Sequence, residues 1–246
     1  MEDKELVFGR NPALEYLRDA KPGARLELYI AQNAHGKIIN AIIRMAEEKK
    51  IILQIKDKTF FTGLGPSSRH QGVILKVPAP LHSSGVTAGK LFARASEARG
   101  VLVLLDQITD PRNVGSIIRT AEALGCCGVI LPKSHAPGIT PGVVRSSAGA
   151  TAHIDILFAG NIASFLDEAR AAGLWIVGAS ERGDTDLHDI GKLRPCVVVI
   201  GSEGAGMRHL TREKCDYLVR IPLAGNISSL NASVAAGIVL YEIMQK

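Results

Sequence analysis

At 246 residues and a formal net charge of +5, the chain is long enough for one large or two small domains, each with its own core. Its 46% hydrophobic and 22% charged residues exclude extended disorder. No run approaches the ~20 uninterrupted apolar residues of a membrane span, and the opening MEDKELVFGR lacks the apolar core of a signal peptide, so a cytoplasmic protein without a membrane contact is expected.

The charge is unevenly placed. Residues 1–80 hold 13 Lys and Arg against 9 Asp and Glu, whereas residues 81–246 hold 16 against 15. A basic N-terminal module beside a nearly neutral body suits a division of labour, the small part gripping a polyanion and the large part doing chemistry. In the first part the pattern predicts a helix over 11–18, a strand over 25–31, an amphipathic helix over 37–50, a strand over 51–56, a helix over 57–65 and a strand over 71–77. Strands and helices alternate, so a small α/β domain over residues 1–77 is expected. The segment PAPLHSSGVTAG, residues 78–89, is rich in Pro, Gly and Ser and reads as a linker.

Residues 90–246 form the second expected domain. Strands are predicted at 101–106, 128–131, 154–157, 175–179, 196–201 and 217–221, with helices at 114–124, 141–148, 162–172, 210–214 and 229–245. VLVLL and VVVI are continuous apolar runs, as in a parallel sheet covered by helices on both faces. The last helix is apolar almost all round from Leu230 to Tyr241, so burial is expected, with its start near Ser228 where Ser and Asn can cap it. Cys126, Cys127, Cys196 and Cys215 have no metal-ligand spacing and read as free thiols; no metal is expected.

Three stretches lie where parallel sheets place their ligands, beyond the carboxyl ends of strands. They are LDQITDPRNVGSIIRTAEALG at 105–125, VIGSEGAGM at 199–207 and IPLAGNISSLNASVA at 221–235. In this order they resemble the three motifs of the SpoU (TrmH-like) family of RNA ribose 2′-O-methyltransferases. The N-terminal FGRNPALEYL and HQGV resemble the ends of the small L30e-like RNA-binding domain found in many members.

That resemblance implies an α/β fold: a C-terminal trefoil-knotted parallel-sheet methyltransferase (SPOUT) domain preceded by a small L30e-like α/β domain. It implies S-adenosylmethionine as cofactor, an RNA substrate and a homodimer joined through the knotted domains. It places Asn113, Arg119, Glu203, Ser229 and Asn231 on the catalytic positions, and Gly201, Gly204, Ile221 and Leu230 around the cofactor. The loop's own chemistry agrees. Its glycines are spaced GxxGxG, not GxGxxG, and Glu203 inside the loop would repel a pyrophosphate, which disfavours a dinucleotide. The motifs contain no His or Cys, which argues against a conventional base or a covalent intermediate. A guanidinium beside phosphate keeps its proton, so the expected role of Arg119 is to anchor phosphate and stabilise the developing oxyanion.

Within the family, SSAGATAHIDI at 146–156 and the third motif most resemble RlmB-type enzymes, which methylate a guanosine ribose of 23S rRNA. Ala232 and Leu223 depart from the Val and Met common there. A tRNA 2′-O-methyltransferase, a thiostrepton-resistance-type rRNA enzyme and a non-catalytic RNA-binding assembly factor of the same fold are the alternatives.

Overall fold

The structure, a computed structural model, describes residues 4–20, 22–62, 70–78, 86–134, 136–190, 193–226 and 229–245. The N-terminal part runs β1 (Lys4–Phe8), α1 (Arg10–Asp19), β2 (Glu27–Ala31), α2 (Lys37–Glu48), β3 (Ile52–Lys56), α3 (Lys58–Thr62) and β4 (Val73–Pro78). Its four strands lie in the order β1-β4-β2-β3, with β4 antiparallel to both neighbours and β2 parallel to β3. Leu17 of α1 and Ile39 and Ile42 of α2 are fully buried with Leu28 and Leu75, so the apolar stripe of each helix meets the sheet. Strand β1 is absent from the sequence reading because KELVF is too short and too charged to stand out. The helix expected over 57–65 is described only to Thr62, residues 63–69 lying outside the described chain.

Two signature segments of this domain hold each other. Gly9 N–H donates to the Val73 carbonyl at 3.1 Å. The Arg10 guanidinium donates from Nε to the Gln71 carbonyl at 3.0 Å and from Nη1 to that of His35 at 3.2 Å. His70 Nδ1 accepts from Gly72 N–H at 2.9 Å, and burial pushes that imidazole below its ordinary range. FGR and HQG therefore close one turn, and Gly72 at φ +77° is the residue that lets the chain make it.

The C-terminal part comprises α4 (Ala88–Ala98), β5 (Val101–Leu105), α5 (Pro111–Ala123), β6 (Gly128–Pro132), α6 (Pro141–Ser146), β7 (Ile156–Ala159), α7 (Ile162–Ala171), β8 (Trp175–Ala179), β9 (Thr185–Asp186), β10 (Cys196–Ile200), α8 (His209–Glu213), β11 (Tyr217–Arg220) and α9 (Ala232–Gln245). All seven strands are parallel, in the order β7-β6-β5-β10-β8-β11-β9. β5 and β10 are buried at every residue, which is why they read as unbroken apolar runs. Helix α4, capped by Thr87, lay unread at the foot of the linker; residues 79–85 are outside the described chain.

Two expectations for the last helix are corrected. It begins at Ala232, not near Ser228 or Ser229, because Asn231 is the residue whose Oδ1 accepts from the N–H groups of Ser233 and Val234, at 3.0 and 3.3 Å. It is also not buried all round: Val234, Ile238 and Tyr241 are 49%, 39% and 55% exposed and form one apolar stripe, while Ala236, Val239 and Leu240 on the other side are fully buried.

The turn between β8 and β9 clasps β11. Ser180 N–H donates to the Val219 carbonyl, Arg220 Nη1 donates to the Gly183 carbonyl, and β9 pairs with β11. A Cβ at Gly183 would stand 2.5 Å from the Leu218 carbonyl oxygen and 2.7 Å from the Val219 carbonyl carbon. Gly183→Ala is therefore expected to lower stability by roughly 1–3 kcal/mol, read as a fall in thermal midpoint against Gly173→Ala, where the strain comes only from a φ of +84° with open space around the Cβ.

Candidate active site

At the carboxyl ends of β8, β10 and β11 lies a cleft of about 760 Å³. One wall is the loop after β10, residues 201–207, folded on itself by paired backbone bonds between Ser202 and Gly206, both 3.0 Å. Gly201 is required by that fold, since a Cβ there would lie 2.5 Å from Met207 N and collide with the Gly206 carbonyl. Gly204 has nothing within 4 Å of its would-be Cβ, so its glycine keeps backbone bare. Ile221, Ser229 and Leu230 also line the cleft.

The loop is gripped from β5. Asp106, fully buried, accepts from Arg208 N–H at 2.8 Å through Oδ2 and pairs through Oδ1 with Arg208 Nε at 3.3 Å. Gln107 Nε2 donates to the Gly206 carbonyl at 3.4 Å. Sequence reasoning did not single out this anchor. The available signal was an acidic residue closing the otherwise apolar run VLVLLD.

Glu203 joins the three motifs. Its Oε1 accepts from Asn113 Nδ2 at 2.9 Å, from Asn231 Nδ2 at 2.5 Å and from the Ala232 backbone N–H at 3.2 Å. Asn231 Nδ2 also reaches Asn113 Oδ1 at 3.0 Å. A carboxylate at the amino end of α9 is favoured by the helix dipole and satisfies one of its open N–H groups. Asn113 stands in the first turn of α5, whose cap is Asp110, accepting from Arg112 N–H at 2.9 Å.

Of the expected residues, Glu203, Ser229, Gly201, Gly204, Ile221 and Leu230 line the cleft, and Asn113 and Asn231 meet at Glu203 beside it. Arg119 does not join them. Six residues beyond Asn113 it is turned about 120° around α5, and it is exposed. The four cysteines are free, and burial pushes the thiols of Cys126, Cys196 and Cys215 up to about 12, away from reactivity. Among the described residues no group of three or more His, Cys, Asp or Glu is placed to hold a metal ion, and no helix is long and apolar enough to cross a membrane.

The SpoU rRNA methylase family model matches residues 100–241, and the model for RNA 2′-O ribose methyltransferase substrate binding matches residues 6–82. The chain belongs to the SpoU family. An uncharacterized tRNA/rRNA methyltransferase of Mycolicibacterium gilvum is 39% identical over 251 residues, covering 100% of this chain and 77% of the relative. The putative TrmH family tRNA/rRNA methyltransferase YacO of Bacillus subtilis is 34% identical over 247 residues, covering 100% and 97%. Among solved structures, the SpoU methyltransferase AviRb from Streptomyces viridochromogenes superposes with a TM-score of 0.78 at 31% identity, covering 98% of this chain and 89% of that one. The same enzyme in complex with the cofactor AdoMet gives 0.77 at 30%, covering 98% and 90%. The SpoU chain is thus an S-adenosylmethionine-dependent RNA methyltransferase, with a trefoil-knotted parallel-sheet domain behind an L30e-like substrate-binding domain. The cleft fits that cofactor in kind: glycine-bared backbone, Ile221 and Leu230 suit a neutral adenosine.

Glu203→Ala removes the acceptor of three hydrogen bonds, whereas Glu203→Gln keeps an oxygen at the same place. The alanine variant is expected to lose about 1–3 kcal/mol of stability and the glutamine variant clearly less, measured by denaturant unfolding of both.

Proposed function

We propose that this SpoU-family protein methylates the ribose 2′-hydroxyl of a guanosine in 23S ribosomal RNA, in the cytoplasm. The observation that carries the reading is the meeting of Asn113, Asn231 and the Ala232 N–H on Glu203 at the edge of the glycine-walled cleft. Bound there, S-adenosylmethionine supplies an electrophilic methyl group. Gly201, Gly204, Ile221 and Leu230 hold it, largely through backbone. Glu203 fixes the amides of Asn113 and Asn231, and these with Ser229 orient the hydroxyl. Glu203 Oε1 accepts three donors, which suits it to positioning the two amides. Arg119, exposed and without a side-chain partner among the described residues, is assigned to the RNA phosphate and the developing oxyanion.

Residues 1–77 are assigned to gripping RNA, 78–89 to the joint and 90–246 to methyl transfer. The partner for the apolar stripe Val234, Ile238 and Tyr241 is a second copy of this chain. The resemblance of residues 146–156 to RlmB-type enzymes supports rRNA; the double tRNA/rRNA names of the relatives keep transfer RNA as the second reading.

Methyl transfer from labelled S-adenosylmethionine to unmethylated 23S rRNA and to bulk tRNA, in parallel, tests this. Label on one guanosine 2′-oxygen of 23S rRNA alone is expected; label on tRNA alone sinks the rRNA assignment. Arg119→Ala is expected to lower kcat by about 10²–10³-fold with cofactor affinity retained. Ile238→Glu is expected to turn a dimer into a monomer by light scattering, and a wild-type monomer would refute the pairing.

A further inference from the structure

Among the side chains lining the cleft, the cationic ones are Arg182, Arg212 and Arg220. Arg220 is committed to structure, its Nε paired with Asp186 at 2.5 Å and its Nη1 on the Gly183 carbonyl at 3.3 Å. Arg208, just beyond the lining, is spent in the same way on Asp106. Arg182 and Arg212 differ: among the described residues neither side chain makes a hydrogen bond or an ion pair. Arg212 is also half-buried on α8, where a guanidinium gives up part of its hydration with no carboxylate or carbonyl partner among the described residues. Two unpaired guanidiniums on the wall of a cleft are set for an anion.

The cleft's other charges tell which anion. Glu181 lies next to Arg182 in the lining, likewise without an ion pair among the described residues, and Glu203 stands on the glycine loop. A phosphodiester entering here would meet both carboxylates. An amino acid zwitterion finds a partner for each of its charges. The methionine tail of the cofactor is such a group, and the glycine loop, Ile221 and Leu230 offer its carboxylate no cation. We infer that Arg212, together with Arg182, binds the carboxylate of the cofactor's methionine tail. The inference rests on the cofactor reading above and adds the residues that tell the full cofactor from a bare adenosine.

Calorimetric titration with S-adenosylhomocysteine and with 5′-deoxy-5′-methylthioadenosine separates the two. Both keep the adenosine and a thioether sulfur, and only the first carries the amino acid. In Arg212→Gln and in the double variant with Arg182→Gln, S-adenosylhomocysteine is expected to bind about 10- to 100-fold more weakly. Methylthioadenosine is expected to stay within about twofold of wild type, which also shows that the cleft has kept its fold. Unchanged S-adenosylhomocysteine affinity with a raised KM for RNA would overturn the inference and give the arginines to RNA. Equal weakening of both ligands would overturn it too, since the side chains would then only shape the wall. Wild-type protein that binds neither ligand would overturn the cofactor reading along with it.

Discussion

One carboxylate oxygen ties together segments far apart in the chain. Glu203 Oε1 receives the first turn of α5 through Asn113, the residue before α9 through Asn231, and α9 itself through the Ala232 N–H. Each donor is weak alone in net terms, but an oxygen at a helix amino end with several donors is a strong and directional anchor. It sets the glycine loop against the last helix, and the cleft is the space between them. The network closes only when residues 231 and 232 are in place, so the third motif completes the site.

Asn231 shows why capping and function are not rival readings. Its Oδ1 caps α9, accepting from Ser233 and Val234, while its Nδ2 points back to Glu203 and Asn113. Both ends of the amide are used, so neither an aspartate nor a serine could replace it without loss. On the far side of the loop Asp106 plays the matching part, buried and held by Arg208. A loop fixed from two sides is preorganised, and a ligand entering it orders little that is not already ordered.

Much of this was legible in the sequence because it depends on local chemistry. Fully buried strands must be apolar at every position, and β5 and β10 are; glycines must stand where a Cβ would strike backbone, and Gly201 does. The rest depends on what packs where. Leu230 to Tyr241 reads as buried, yet α9 leaves Val234, Ile238 and Tyr241 in the open, because composition alone does not tell which faces of an apolar helix are covered. Strand β1 is held by its pairing with β4, not by its own pattern, and the value of Asp106 appears only once Arg208, 102 residues on, is folded against it. Arg10 lies in FGRNPALEYL, but its part as the clasp of the HQG turn appears only when Gln71 and His35 are folded against it.

The segment SSAGATA connects the two halves of the molecule. Thr151, buried, meets Tyr16 of α1 at 3.1 Å between hydroxyl oxygens, so the basic N-terminal domain is seated on it. Five residues earlier, Ser146 Oγ donates to the Pro111 carbonyl at 2.9 Å, at the start of the helix that carries Asn113 and Arg119. That helix can approach because Gly115 leaves room: a Cβ there would lie 2.6 Å from the Val143 carbonyl oxygen. One short stretch thus touches the RNA-gripping domain at one end and the first motif at the other. Serine, threonine and glycine suit both contacts, since small hydroxyls satisfy backbone at close range where longer polar side chains would hold the helices apart. The packing of Thr151 on Tyr16 and of Ser146 on Pro111 thus links the N-terminal domain to the helix that carries Asn113.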